Sequence, residues 1–249
     1  MFKIMEKKIL IIPDVHGRTF WKSALASGDY QTIVFLGDYA DPYEMEGITN
    51  RDALKNFESI IAFKQQNPKK VVLLLGNHDL HYYSTYYCEL ARSSRYDPVS
   101  AVPLHRLFTK YSSLFQLAWE TDWGSRHYLF SHAGITQSWL QRNMELIGQP
   151  DAEHLNRLLH SNEGLASLAQ VGRMRWGSYP SGSIVWADID ELLGSNPLPG
   201  VYQIVGHTQL FDEPIITADL ACLDCRGGFS LNKGGEIQPV TVLPPYEAT

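Results

Sequence analysis

Cysteine is scarce in this sequence. Cys88, Cys222 and Cys225 are the only three, and so sparse and odd a count excludes a disulfide framework and indicates reduced thiols in a cytoplasmic setting. Cys222-x-x-Cys225 could supply half a zinc site or a redox pair. No second pair completes four sulfur ligands, so packing near a strand is the default reading. Long apolar runs are missing too: none approaches the length of a membrane span. The N-terminal stretch 1–8 has neither an apolar core nor a small-residue cleavage site, which leaves secretion unsupported. No Lys/Arg-rich block appears and the net charge is -6, which argues against a broad nucleic-acid footprint. Repeats and low-complexity tracts are absent. What is present suits a globular chain: 44% hydrophobic and 19% charged residues over 249 positions provide for a sizeable core, and no linker divides the sequence.

The pattern that organises the chain is an apolar strand followed at once by Asp, Asn or His. Ile9 to Ile12 is a short buried strand that ends in Pro13-Asp14-Val15-His16-Gly17. Thr32 to Leu36 ends in Gly37-Asp38-Tyr39-Ala40-Asp41, and Val71 to Leu75 in Gly76-Asn77-His78-Asp79. Such runs, bounded by turn residues, read as parallel strands buried on both faces. Helices are expected between them, at Thr19 to Ser27 and from Thr49 or Asn50 to about Gln66, so the first 80 residues read β-α-β-α-β. A helix is expected from about Val99 to Phe115 after Asp97-Pro98. Strands are expected at Gln116 to Glu120 and His127 to Phe130; the second ends in Ser131-His132-Ala133-Gly134. Helical segments follow within about 136–172. Val201 to Val205 is a further strand, ending in Gly206-His207-Thr208, and short strands with glycine turns fill Pro214 to Val242. In open α/β sheets ligands bind at the carboxyl ends of strands, which is where these polar residues fall.

The ordered set Asp14-x-His16, Gly37-Asp38-x-x-Asp41, Gly76-Asn77-His78-Asp79, His132 and Gly206-His207 resembles the calcineurin-like metallophosphoesterase superfamily, with its phosphoprotein phosphatase (serine/threonine phosphatase) branch nearest. The resemblance covers roughly Ile9 to His207. It implies an α/β fold of two mixed β-sheets packed as a sandwich and flanked by helices, in one domain over 1–249 with a helical insert at about 136–172. It implies two divalent metal ions, manganese first, with iron or zinc as alternatives that the residues do not separate. Asp14 and His16 look like ligands of one ion, Asp38 like the bridging carboxylate, and Asn77, His132 and His207 like ligands of the other. His78 resembles the proton donor to the leaving oxygen and Asp79 its partner, with Asp41 counted among the catalytic groups. Asn77 and an arginine, Arg175 or its rival Arg173, would contact the substrate phosphate. One departure stands out: the phosphatase branch continues Gly-Asp-x-x-Asp with Arg-Gly, whereas Asp41 is followed by Pro42-Tyr43, so the arginine that would grip the phosphate is not in its usual place.

The chemistry explains why these residue types recur. A phosphate monoester dianion repels hydroxide and its alkoxide leaves poorly; two cations about 3.5–4 Å apart neutralise the phosphoryl oxygens and make hydroxide available near neutral pH. An arginine fork binds the non-bridging oxygens. No Cys or Ser stands in a nucleophile motif. The expectation is therefore a metal-dependent phosphatase that hydrolyses phosphate monoesters through a bridging hydroxide, with a phosphorylated protein or a small phosphoester as substrate. Neither nucleic acid nor membrane is expected as a partner, and the oligomeric state stays open. The competing readings are a dinucleoside polyphosphate (phosphoanhydride) hydrolase and a non-catalytic metal-bearing interaction module. Phosphodiester cleavage is disfavoured because Gly206-His207-Thr208-Gln209 lacks the second histidine of a Gly-His-x-His ending. Tyr39 and Tyr43 read as packing residues, and His81, His105, His127, His154 and His160 as structural.

Overall fold

The computed structural model describes residues 7–194, 198–211 and 213–242; the stretch 1–6 read above for a leader lies outside them. Strands β1 (Lys8–Ile12), β2 (Thr32–Phe35), β3 (Val71–Leu74) and β4 (Phe115–Gln116) run parallel to one another. A second group follows: β5 (Ala118–Trp123), β6 (Arg126–Ser131), β7 (Tyr202–Val205), β8 (Ile215–Ile216), β9 (Leu220–Cys222), β10 (Gly227–Asn232) and β11 (Ile237–Val242). They build two mixed sheets, one in the order β11-β10-β1-β2-β3-β4 and the other β5-β6-β7-β9-β8. In the first, β10 lies antiparallel to β1; in the second, β6, β7 and β9 are parallel.

The continuous apolar runs have a direct cause: alternate residues of each strand enter different cores. Ile9, Ile11, Val34, Leu36 and Leu74 pack between the sheets against Tyr128, Phe130, Ile204 and Leu231. Leu10, Ile12, Ile33, Phe35 and Leu73 face the helices, where Trp21, Phe57, Ile60 and Phe108 cover them. Ile9, Leu10, Ile11 and Ile12 are all fully buried, each worth about 1.5–3 kcal/mol of hydrophobic burial, so β1 anchors both layers.

On the helical face lie α1 (Phe20–Ala26), α2 (Asn50–Gln66), α3 (Asn77–Tyr83), α4 (Thr85–Leu90) and α5 (Pro98–Lys110). The Thr49 hydroxyl accepts the Asp52 amide at 3.1 Å and caps α2, which buries Ala53, Phe57, Ile60 and Ile61 at helical spacing. Asp97 caps α5 through the Val99 and Ser100 amides. That helix stops at Lys110, before the expected Phe115, because the chain turns through Ser112–Leu114 into β4. The β5–β6 turn sits at Gly124-Ser125, since Asp122 and Trp123 pair with His127 and Arg126. Short helices at Gln137–Arg142, Met144–Ile147, Ala152–Arg157 and Asn162–Leu168 occupy the stretch between β6 and β7. Cys222 and Cys225 are free and buried. Burial pushes both thiols up, Cys225 to about 12, so both rest as protonated thiols at neutral pH.

Candidate metal and catalytic site

Five strand ends converge: Asp14 and His16 follow β1, Asp38 and Asp41 follow β2, Asn77 and His78 follow β3, His132 follows β6 and His207 follows β7. The two sheets meet there, with His132 Nε2 3.6 Å from Asp38 Oδ2. Turning the chain so sharply requires left-handed backbone at His16 (φ 43°), Asp38 (53°), Asp41 (55°) and His207 (65°), a conformation that Asp, Asn and His tolerate better than other side chains. Two glycines supply room. A Cβ on Gly76 would stand 2.1 Å from Asp38 Oδ1, and one on Gly206 would stand 2.3 Å from Asp14 Oδ1.

Hydrogen-bond partners fix the imidazole tautomers. His16 Nδ1 lies 2.9 Å from the Ala40 carbonyl and His132 Nδ1 lies 2.9 Å from the Leu36 carbonyl. A carbonyl only accepts, so both Nδ1 atoms carry hydrogen and both Nε2 atoms present lone pairs. The His16 lone pair faces Asp38 Oδ2 at 3.4 Å and Asp14 Oδ2 at 3.8 Å. That of His132 faces Asn77 at 3.0 Å, His207 Nδ1 at 3.1 Å and Asp38 Oδ2 at 3.6 Å. His207 Nε2 is buried without a hydrogen-bond partner among the described residues. Electron-rich atoms thus crowd together with too few hydrogens to share. Asp14, His16 and Asp38 form one group and Asp38, His132 and His207 another, each with its donor atoms within 4.8 Å. Burial, reinforced by the charge of Asp14, pushes the Asp38 carboxyl well above the usual carboxylate range. Burial and nearby Arg95 hold His16 well below the usual histidine range, and burial and Arg175 do the same to His207. A donor set of this kind fits divalent cations, which would match both groups and reverse these shifts.

A third group, Asp41, His78 and His81, differs because hydrogens from His78 and Tyr82 already satisfy its carboxylate. His78 Nδ1 lies 2.8 Å and His81 Nε2 2.9 Å from Asp41 Oδ2, while the Tyr82 hydroxyl donates to Asp41 Oδ1 at 2.5 Å. The backbone amide of Ser93 donates to His81 Nδ1 at 3.4 Å, which puts the hydrogen of His81 on Nε2. Burial alone would raise the Asp41 carboxyl, but the bond from His78 and the close approach of His81 outweigh it and bring the group to about 2. His78 is lowered to about 4, chiefly by burial, with Arg95 adding to the effect and Asp41 opposing it. At neutral pH the pair is thus a carboxylate accepting from a neutral imidazole, whose Nε2 points to the cavity beside Ser93 Oγ (3.1 Å) and Arg95 Nη2 (3.2 Å).

This corrects the pairing expected of Asp79. Its carboxylate accepts the backbone amides of Asp38 (2.7 Å), Tyr39 (2.9 Å) and Gly76 (2.8 Å) and has no bond to His78. Burial and the Asp38 charge push its pKa well above the usual carboxylate range, and the amides offset this only in part. The reason is geometric. Gly76, two residues past β3, is the N-cap and Asn77 opens α3, so Asp79 falls in the first turn of a helix and folds back to cap it. It clasps the β2 exit to the β3 exit, and Asp41, from the neighbouring loop, takes the place beside His78.

The groups open onto a cavity of about 550 Å³ lined by Asp14, His16, Asp38, Asn77, His78 and His207. Arg175 is on its wall, paired with Asp188 at 2.8 Å and bonded to the Thr208 hydroxyl at 2.8 Å. Arg173 is exposed and not among the lining residues, which separates the two rivals. Tyr39 is buried, its hydroxyl on the Leu74 carbonyl. Tyr43 reaches the cavity.

Two residues that motif reading passes over enter the site. Arg95 stacks 3.7 Å over the Tyr43 ring, donates to the Asp41 carbonyl at 3.0 Å and points Nη2 at His16 (3.3 Å) and His78. No local pattern around Ser93-Ser94-Arg95 announces it. His81 belongs to no motif, although its place three residues after His78 puts both on one helix face. Asp224, buried after β9, repeats the strand-then-Asp signal; it does not line the cavity, and burial and the charge of Asp14 push its carboxyl well above the usual range.

Comparison with known proteins follows this geometry. Residues 7–214 match the family profile described as calcineurin-like phosphoesterase. Among solved structures, the cold-active protein-tyrosine phosphatase of a psychrophilic Shewanella species superposes with a TM-score of 0.55 at 15% identity, covering 95% of this chain and 81% of that one. A second structure of a cold-active protein tyrosine phosphatase gives 0.54 at 16% identity, covering 95% and 79%. No curated protein sequence matches.

Proposed function

We propose that the chain, which belongs to the calcineurin-like phosphoesterase family, hydrolyses phosphate monoesters at the cavity formed by Asp38 and its neighbours. The observation that carries this reading is Asp38 itself. One buried carboxylate is common to both donor groups, as a pair of adjacent divalent ions would require. Asp14, His16 and Asp38 would hold one ion and Asp38, Asn77, His132 and His207 the other; manganese, iron or zinc suits this set. When bound, such ions neutralise phosphoryl charge and activate water.

The remaining work falls to the protein's own side chains. Arg95 takes the part of the arginine absent after Asp41. Its fork is held by the Asp41 carbonyl and the Tyr43 face, and its Nη2 is aimed where phosphoryl oxygens would lie. Arg175, fixed by Asp188 and Thr208, approaches from the other wall. His78 Nε2 delivers a proton to the leaving oxygen. Asp41 holds Nδ1–H and stabilises the imidazolium, and the negative charge of a bound phosphate offsets the burial that depresses the histidine's pKa. Phosphoserine, phosphothreonine and phosphotyrosine all present the required monoester.

The test is turnover of an aryl phosphate by purified protein, with Mn²⁺ added or removed by chelation, beside His78→Ala and Asp38→Asn. Metal-dependent hydrolysis that falls in both variants is the expected result. A protein that binds two ions yet turns over no monoester would sink the proposal.

A further inference from the structure

Resting on the phosphatase reading, we infer that Trp176 is a stacking platform that selects phosphate monoesters with a flat aromatic leaving group. Trp176 is 97% exposed and lines the same cavity as Asp14, His16 and His78. Its indole makes no ring contact and no hydrogen bond with any described residue. A tryptophan that served the fold would bury its ring, because that ring is the largest apolar surface a side chain offers. Here the fold gains nothing from it and also holds the residue in left-handed backbone, at φ 60° and ψ 19°.

That backbone is built rather than loose. The turn Arg173–Arg175 closes with the Trp176 amide on the Arg173 carbonyl (3.0 Å), and the Gly177 amide returns to the Gly172 carbonyl (2.9 Å). The Arg173 amide donates to Tyr179 O (2.9 Å) and the Tyr179 amide to Val171 O (3.2 Å), which ties the base of the loop shut. A Cβ on Gly177 would stand 2.0 Å from Val171 O, so only glycine lets the chain leave Trp176 in this direction. Arg175, the residue before it, is anchored to Asp188 and Thr208. The ring is therefore presented at the cavity mouth by a fixed loop, which is the preorganisation that stacking needs.

The rest of the mouth agrees with this choice. Trp186 also lines the cavity, its indole N–H on the Tyr87 hydroxyl at 2.6 Å and its ring edge-on to His207 with centroids 5.9 Å apart. Tyr43 backs Arg95 on the opposite side. At about 550 Å³ the cavity far exceeds a phosphate group. Cationic and metal-ligating groups form its floor and aromatic rings its rim, so the oxyanion binds deep and an attached ring meets the indole face.

The test compares kcat/KM for phosphotyrosine and phosphoserine in the wild type, Trp176→Gly and Trp176→Phe. Glycine keeps the left-handed backbone while removing the ring. An aromatic pair is worth roughly a three- to tenfold effect, so the tyrosine-to-serine ratio should fall by about that factor in Trp176→Gly, through KM, and recover in Trp176→Phe. An unchanged ratio in Trp176→Gly overturns the inference and leaves the phosphatase reading intact. Calorimetric titration of the metal-loaded protein with phenylphosphonate and methylphosphonate reads the same preference without turnover. A phenyl preference lost in Trp176→Gly, in protein that hydrolyses neither ester, would support the platform and refute the phosphatase reading.

Discussion

Replacing Asp41 by Asn changes charge without changing volume, and asparagine accepts the left-handed backbone at φ 55°. The native carboxylate takes the His78 N–H on Oδ2 and the Tyr82 hydroxyl on Oδ1, with His81 Nε2 2.9 Å from Oδ2. An amide cannot reproduce this. With its NH₂ at the δ2 position, it meets imidazole N–H groups and forces His78 into the opposite tautomer. With its NH₂ at δ1, it meets the Tyr82 hydroxyl, which already accepts the Asp97 amide at 2.9 Å. The carboxyl's drop from 3.8 to about 2 corresponds to about 2 kcal/mol of stability, and a loss of that size lowers the melting temperature by about 4–8 °C in a chain this long. The kinetic effect should depend on the leaving group. General acid catalysis contributes about 10²–10⁴ where the departing oxygen needs a proton, and little where it leaves as a stable anion. Across aryl phosphates whose phenols run from weakly to strongly acidic, Asp41→Asn should lose most with the weakest acids, so its plot of rate against phenol pKa steepens. Parallel plots for wild type and variant would refute the assignment of His78 and Asp41 as the proton-delivering pair.

Three other predictions follow from the same geometry. Arg95→Ala should weaken inhibition by phosphate or vanadate about ten- to a hundredfold, the worth of a charged hydrogen-bonding fork, and Arg95→Lys should recover only part of it; inhibition unchanged in Arg95→Ala would remove Arg95 from the phosphate site. In metal-stripped protein, His78 should contribute a loss of stability on acidification below pH 6.5. His78 titrates near 4 when folded and near 6.5 when unfolded, so the unfolded chain binds more protons between those values and the folded state loses about 3 kcal/mol across the window from this residue alone. Urea midpoints of wild type and His78→Asn at pH 7.5 and 5 read this: the wild type should lose more on acidification than the variant, and equal changes in the two proteins contradict it. Chelation should lower the melting temperature, and Mn²⁺ at a hundredfold its dissociation constant should restore about 2.7 kcal/mol. Asp38→Asn should abolish most of that gain, because both donor groups lose their shared carboxylate, and equal gains in both proteins would show that the ions bind elsewhere.

Much of this architecture was legible because strand burial and strand exits leave marks on a sequence. A run such as Val71 to Leu75 needs two covered faces, and its sheet supplies them. An Asp or His placed one to three residues beyond such a run has few places to point except the sheet edge, and so Asp14, Asp38, His132 and His207 end up together. Direction is harder to read than position. Asp79 follows His78 directly, yet its carboxylate is claimed by three backbone amides that exist only once α3 begins at Asn77. Arg95 is distant from Asp41 in sequence and reaches it through the fold, and no periodicity encodes such a contact. Arg173 and Arg175 differ by two residues in a tight turn, and only the turn decides which of them faces the cavity.

The left-handed backbone at His16, Asp38, Asp41 and His207 bears on how this protein should be dissected. Alanine is the usual probe of a side chain, but at these four positions it also inserts a residue that resists the local conformation, at a cost of about 1 kcal/mol each. An alanine scan would therefore credit to chemistry a loss that belongs partly to the main chain. Asparagine at the aspartates, and glycine at any of the four, keeps the backbone at ease. The difference between an alanine and a glycine variant at one position then measures how much of the site is held by its curve and how much by its charges.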